Sequence, residues 1–184
     1  MYKVTVYKES LFKIIFTALV SLLLSACTSI PKGVTPVENF NLSKYQGKWY
    51  EIARLDHSFE RGLEQVTAEY KLTPEGDVKV TNRGYSTEDK TWDEAIGKAK
   101  FVESTEIGFL KVSFFGPFYG SYVIFNLDEQ YQHSFVAGPN TSYLWLLSRT
   151  PNPDKAVIDK FIEISEKLGF DTNSLIFPKH SSNT

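Results

Sequence analysis

From Gly47 onward the chain is broken into short segments in which apolar and polar residues alternate, and this pattern leaves few folds open. "EQVTAEYKL" sets Val66, Ala68, Tyr70 and Leu72 against polar partners, "TPEG" turns the chain, and "DVKVTNRGY" brings Val78 and Val80 to one face. "EAIGKAKFV" offers Ala95, Gly97, Ala99 and Phe101. "FLKVSFF" and "SYVIFNL" flank the connection "GPFYG", and "HSFVAG" and "YLWLLSR" come after them. Alternation over four to eight residues is the period of a half-buried strand. With the run around Trp49 there are eight such segments, joined by short links. They predict an all-β chain, an eight-stranded up-and-down antiparallel barrel, because closure removes the exposed edges an open sheet would present. The small residues Ala68, Gly97 and Ala99 among large ones point to a hollow barrel, since a packed sandwich core would carry bulk there.

One helix is predicted after the strands. Asn152 is placed to cap it, Pro153 to occupy its first position and Gly169 to end it. Val157, Phe161, Ile164 and Leu168 form an apolar stripe that needs a surface to cover, and the outer wall of the barrel supplies one. "SLIFP" at 174–178 reads as a short last strand, and residues 179–184 as a disordered tail.

The other end of the chain reads as a targeting signal. Lys3, Lys8 and Lys13 precede an apolar run from Ile14 to Leu24 that is too short to span a bilayer. "LSAC" comes next and ends in Cys27, the single cysteine of the chain. It resembles a bacterial lipobox, which implies cleavage of residues 1–26 and acylation of Cys27. Thr28, where inner-membrane retention uses Asp, implies delivery to the outer membrane. Residues 27–40 then read as a lipidated tether and 41–178 as the folded domain.

Charge and motifs exclude several functions. The formal net charge of −2 falls to about −4 once the signal is removed, with no basic stripe for nucleic acid. Asp56, His57 and Ser58 are the residue types of a hydrolytic triad. As neighbours on one extended run they point to opposite faces, and a triad needs side chains converging from separate places. His133 and His180 stand too far apart for a metal site, and no cofactor is expected. Glu51 and Arg54 are ambiguous between the inside of the barrel and solvent.

At this point the residues resemble a known family. Gly47 and Trp49 resemble the lipocalin G-x-W signature, and Arg149, just before the helix, resembles the family's second anchor. "NLDEQY" departs from the usual Thr-Asp-Tyr form but keeps Asp128 in the expected place. "GKWYEIARLDHSFERGLE", "KVSFFGPFYG" and "YLWLLSRTP" look most like the bacterial outer-membrane branch, akin to apolipoprotein D. The resemblance implies that Trp49 closes one end of the barrel under the Arg149 guanidinium.

It also implies a cup for one elongated apolar ligand, a fatty acid or a lysophospholipid, in a lipoprotein of the outer membrane facing the periplasm. A role in envelope maintenance under stress is implied in the same way. Aligning the strands on Arg149 and on the Leu127-Asp128 turn places Val112, Phe114, Tyr122, Ile124, Tyr143, Trp145 and Leu147 inward. Ala68, Tyr70, Val80, Asn82, Gly97 and Ala99 complete the expected wall. Tyr122 and Tyr143 are expected to offer hydroxyls to a headgroup. Other readings stay open: a binder of a pigment or signal, a lipocalin-fold enzyme, or a purely structural lipoprotein. The oligomeric state is open too, a homodimer included.

Overall fold

The computed structural model describes residues 28–181. The signal peptide and Cys27 lie outside the described residues, as do residues 182–184. Eight strands form one closed antiparallel barrel, each paired with the next and the last with the first. They are β1 (Gly47–Arg54), β2 (Leu63–Leu72), β3 (Val78–Ser86), β4 (Thr91–Phe101), β5 (Phe109–Phe115), β6 (Phe118–Leu127), β7 (His133–Ala137) and β8 (Leu144–Ser148). These are the eight segments the alternation predicts. A single-turn helix α1 (Leu42–Tyr45) precedes them and α2 (Lys155–Lys167) comes after.

The alternation sorts side chains into two cores. Trp49, Tyr70, Val80, Ile124, Val136 and Leu147 face the barrel interior. Ala53, Val123, Phe135, Leu144 and Leu146 face outward and pack with Phe161 of α2. Phe161 is fully buried and meets Phe135 edge-on at 5.1 Å. The helix starts later than predicted, with Asp154 rather than Asn152 at its cap, and no side-chain bond caps it. Gly169 lies just beyond it with φ +84, the left-handed conformation that ends a helix.

β1 breaks the two-residue period. Its ladder to β8 shifts between Glu51 and Ala53, so Ile52 is an extra residue. Ile52 and Ala53 both join the outer core, and Glu51 and Arg54 both turn inward.

Residues 28–40 and 179–181 are more ordered than predicted. The segment read as a tether packs against the barrel, with Val34 and Phe40 buried, Val37 N–H donating to Ile124 O, and Phe40 N–H donating to Glu106 O. The reason is its own apolar content: Ile30, Val34 and Val37 cover surface that β6 and α2 leave open.

At the other end, β1 and β2 stop pairing beyond Tyr50 and Thr67. The C-terminal segment fills that seam. Arg54 and Ile176 exchange both backbone bonds, a single bridge where a short strand was expected. Gln65 N–H donates to Lys179 O, and His180 Nε2 lies 2.7 Å from Glu51 O. Lys179 and His180 of the expected disordered tail therefore cover backbone groups that would otherwise lie unpaired.

Candidate functional site

The strand directions give the barrel two unlike ends. The links 73–77, 102–108 and 128–132 lie at the end that holds Trp49. The links 55–62, 87–90, 116–117 and 138–143 ring the other.

The first end is closed by a floor. Trp49 has no exposed surface, donates from Nε1 to Tyr45 O at 2.8 Å, and lies under the Arg149 guanidinium at 3.8 Å. A cation over an indole face contributes roughly 0.5–2 kcal/mol. Arg149 also donates to the carbonyls of Lys44, Tyr45, Gln46, Lys48 and Tyr131, at 2.8–3.2 Å. It thereby caps α1, whose last carbonyls would otherwise lack donors. Gly47 has φ +92, and a Cβ there would stand 3.6 Å from the guanidinium. Asp128 serves the β6–β7 turn, accepting from the amides of Gln130, Gln132 and His133.

Above the floor is a layer of hydroxyls. Tyr122 Oη lies 2.8 Å from both Tyr45 Oη and Tyr70 Oη, and Tyr45 Oη lies 3.0 Å from Ser134 Oγ. Burial pushes Tyr45 up to about 12 and raises Tyr70 and Tyr122 as well, so all three stay neutral. Tyr122 is thus committed to two other tyrosines, contrary to its expected offer of a free hydroxyl.

Over this layer a cavity of about 300 Å³ opens toward the mouth. Ala68, Tyr70, Val80, Asn82, Val112, Phe114, Tyr122, Tyr143, Trp145 and Leu147 line it, as the strand alignment placed them. Gly97, Ala99 and Ile124 face inward but do not line it. Ala99 and Ile124 are buried in the packed lower core. A Cβ on Gly97 would stand 2.8 Å from the Phe114 ring, so glycine lets that ring lie flat on β4. The small residues of β4 therefore make room for a neighbour's side chain, and only part of the space goes to the cavity. Two polar atoms of the lining, Asn82 Oδ1 and Ser121 Oγ, are buried without a partner.

Sequence reasoning left Glu51 and Arg54 open and missed Glu60, and the structure joins the three on the wall. Arg54, 1% exposed, donates from Nη1 to Glu51 Oε1 at 2.6 Å and from Nη2 to Glu60 O at 2.8 Å. Glu60 Oε2 accepts from Trp145 Nε1 at 3.1 Å, and both Glu51 and Glu60 line the cavity. Burial and the mutual repulsion of the two carboxyls raise Glu51 well above the carboxylate range, and burial raises Glu60. The signal was present in "EIAR", where two adjacent apolar residues interrupt the alternation and turn the arginine after them to the inner face.

The triad-like neighbours have separate lives. Asp56 pairs with Arg61 at 2.6 Å on the surface. His57 is buried against Phe59 and Trp145, with ring centroids at 4.1 and 5.1 Å. Burial and the nearby Arg54 push His57 down to about 4, so it is neutral at pH 7. Ser58 is exposed.

Comparisons with known proteins agree with this geometry. Residues 40–180 match the model of the lipocalin-like domain. The outer membrane lipoprotein Blc of Vibrio cholerae is 61% identical over 89% of this chain and 96% of its own length. Mouse apolipoprotein D is 34% identical over 75% of this chain and 76% of its own. Among solved structures, insecticyanin from the tobacco hornworm superimposes with a TM-score of 0.66 over 84% of this chain and 88% of its own, at 19% identity. That last likeness speaks for the fold alone.

Proposed function

This chain belongs to the lipocalin family, and from that premise we propose that it is an outer-membrane lipoprotein that holds one single-chain lipid in its cup. In this reading Cys27 carries the anchoring acyl groups on the periplasmic side. A fatty acid or lysophospholipid lies with its chain in the cavity, stored or carried for maintenance of the envelope. The observation that carries the reading is the cavity itself. It is small, open at one end and lined by Val66, Val80, Val112, Phe114 and Leu147.

Ligand pockets run from roughly 300 to 1,000 Å³, so a cavity of about 300 Å³ favours one slim chain over a broad pigment. Each buried methylene gains about 0.8 kcal/mol. Much of that is offset by the ordering of the chain, which leaves binding at about micromolar strength. Asn82 and Ser121 are the unpaired polar groups to which an ester or hydroxyl would turn. The family name "outer membrane lipoprotein" borne by the Vibrio cholerae relative supports the location, as does the LSAC site.

The test is a titration of residues 28–184 with fluorescent fatty acid and lysophospholipid, read through quenching of Trp145. One-to-one saturation in the micromolar range is expected. Gly120 lines the cavity and a Cβ there meets no atom within 4 Å, so Gly120→Trp can start a bulky side chain at the cup without crowding at its Cβ. That variant should stay folded and lose binding at least tenfold. Equal binding by the filled variant, or none by the parent at tens of micromolar, would overturn the proposal.

A further inference from the structure

The three most exposed large apolar side chains among the described residues are Phe115 (81%), Phe118 (75%) and Phe59 (58%). All three stand at the open end. Phe115 and Phe118 flank the Gly116-Pro117 tip of the β5–β6 hairpin, and Phe59 sits in the β1–β2 link. Aromatic rings held in water cost free energy that burial in another apolar phase would recover.

The course of the N-terminal segment says which phase is near. Ser29 Oγ donates to Pro139 O at 2.8 Å, and Pro139 lies in the β7–β8 link at the cup's mouth. From there the chain runs down the flank, past Val34 and Val37, to Phe40 beside Glu106 at the closed end. Docking of this segment removes the slack that a tether of residues 27–40 would have had. Cys27 is two residues before Ser29, and two extended residues span about 7 Å. A ten-residue strand such as β2 spans roughly 33 Å. Acyl groups on Cys27 therefore reach the mouth and fall far short of the closed end.

We infer that the open end of the barrel docks on the lipid bilayer that holds the anchor, with Phe115 and Phe118 inserted at its interface. The inference rests on the reading of Cys27 as the acylated residue. The cup then opens onto the leaflet, and a single-chain lipid passes between the two without crossing water. Aromatic side chains favour this interfacial depth, where the ring is buried and the backbone stays hydrated. One anchor leaves the body free to tilt, and the rim residues remove that freedom.

The experiment uses the full mature acylated chain in vesicles of phosphatidylethanolamine and phosphatidylglycerol. An environment-sensitive fluorophore is placed on Gly116→Cys at the rim or on Glu75→Cys in the β2–β3 turn at the closed end. Lipids brominated on the acyl chain serve as quencher. The rim label should shift to the blue and be quenched severalfold, and the closed-end label should do neither. In a second arm, the Phe115→Ser/Phe118→Ser double variant should deliver a fluorescent fatty acid to acceptor vesicles about tenfold more slowly, at unchanged equilibrium partition. Equal quenching at the two sites, or an unchanged transfer rate, would overturn the docking. A blue shift at the rim without quenching would mean that a second copy covers the mouth, which also overturns it. An intact mass lacking the acyl additions would sink the anchor and this geometry together, whereas an acylated chain with a rim label in water sinks the docking alone.

Discussion

Two arginines are drawn into opposite parts of the same barrel and are neutralised by different means. Arg149 at the floor meets only backbone carbonyls and the face of Trp49. Arg54 on the upper wall meets the Glu51 carboxyl and the backbone carbonyl of Glu60, whose own carboxyl lies on the same wall. The floor spreads one charge over fixed dipoles that never titrate. The wall balances charge with groups that do. The partners of Arg149 thus hold its charge without titrating, and those of Arg54 include a carboxyl that does.

The largest effect should come from the floor. Trp49→Ala should lower stability by about 3–5 kcal/mol, because a fully buried aromatic is replaced by a void. Arg149→Ala should also destabilise, and the double variant should lose less than the two losses added, since the side chains touch. Urea denaturation of the four proteins measures this, and strict additivity would break the picture of one floor unit.

The wall should respond next, and in a pH-dependent way. Arg54→Met leaves two buried carboxyls without their cation, a change that typically costs roughly 3 kcal/mol or more. Glu51 and Glu60 already bind a proton more tightly folded than unfolded. A carboxyl raised by folding makes stability fall as pH rises above its unfolded value of about 4.3. Without Arg54 that fall should steepen. The variant should sit closest to the parent near pH 5 and furthest from it near pH 8, and its acid loss through His57 should be smaller, because Arg54 is one of the causes that hold His57 down. His57, pushed down to about 4, acts the other way, removing stability as pH drops from about 6.5 toward 4. Thermal melts from pH 4.5 to 8.5 read both limbs. A pH-independent loss in Arg54→Met would show that the carboxyls do not depend on the arginine.

The smallest effect tests the seam beside the wall. Deleting residues 179–184 removes the Lys179 and His180 contacts to Gln65 and Glu51. At about 1 kcal/mol per hydrogen bond the loss should be roughly 2 kcal/mol. Hydrogen exchange at Gln65 should accelerate while Trp49 stays protected. Unchanged exchange at Gln65 would mean that β1 and β2 close the seam unaided.

The strands and the helix stripe were legible in the sequence because each is a short-period property, whereas the floor of Trp49 and Arg149 was implied by the resemblance to lipocalins. Alternation names the inward residues of a strand as long as the pleat is regular, which is why Trp145, Leu147 and Val80 are placed correctly on the cup wall. The same rule fails at Ile52. There two outward residues in succession are set by burial against α2, an element a hundred residues away. Tyr122 was placed on the correct face with the wrong partners, because Tyr45 approaches from a plug outside the strand pattern.

The sequence by itself determined an eight-stranded barrel and a helix with one apolar stripe. These come from residue type and spacing along the chain, and the closed end around Trp49 and Arg149 was implied by the resemblance to lipocalins. The tertiary structure decided that Glu51 and Arg54 turn inward, that residues 176–180 fill the β1–β2 seam, and that residues 29–40 run from the mouth to the closed end. Each of those is a competition for burial or for backbone hydrogen bonds between segments distant in sequence. Its outcome depends on which surfaces the closed barrel leaves uncovered.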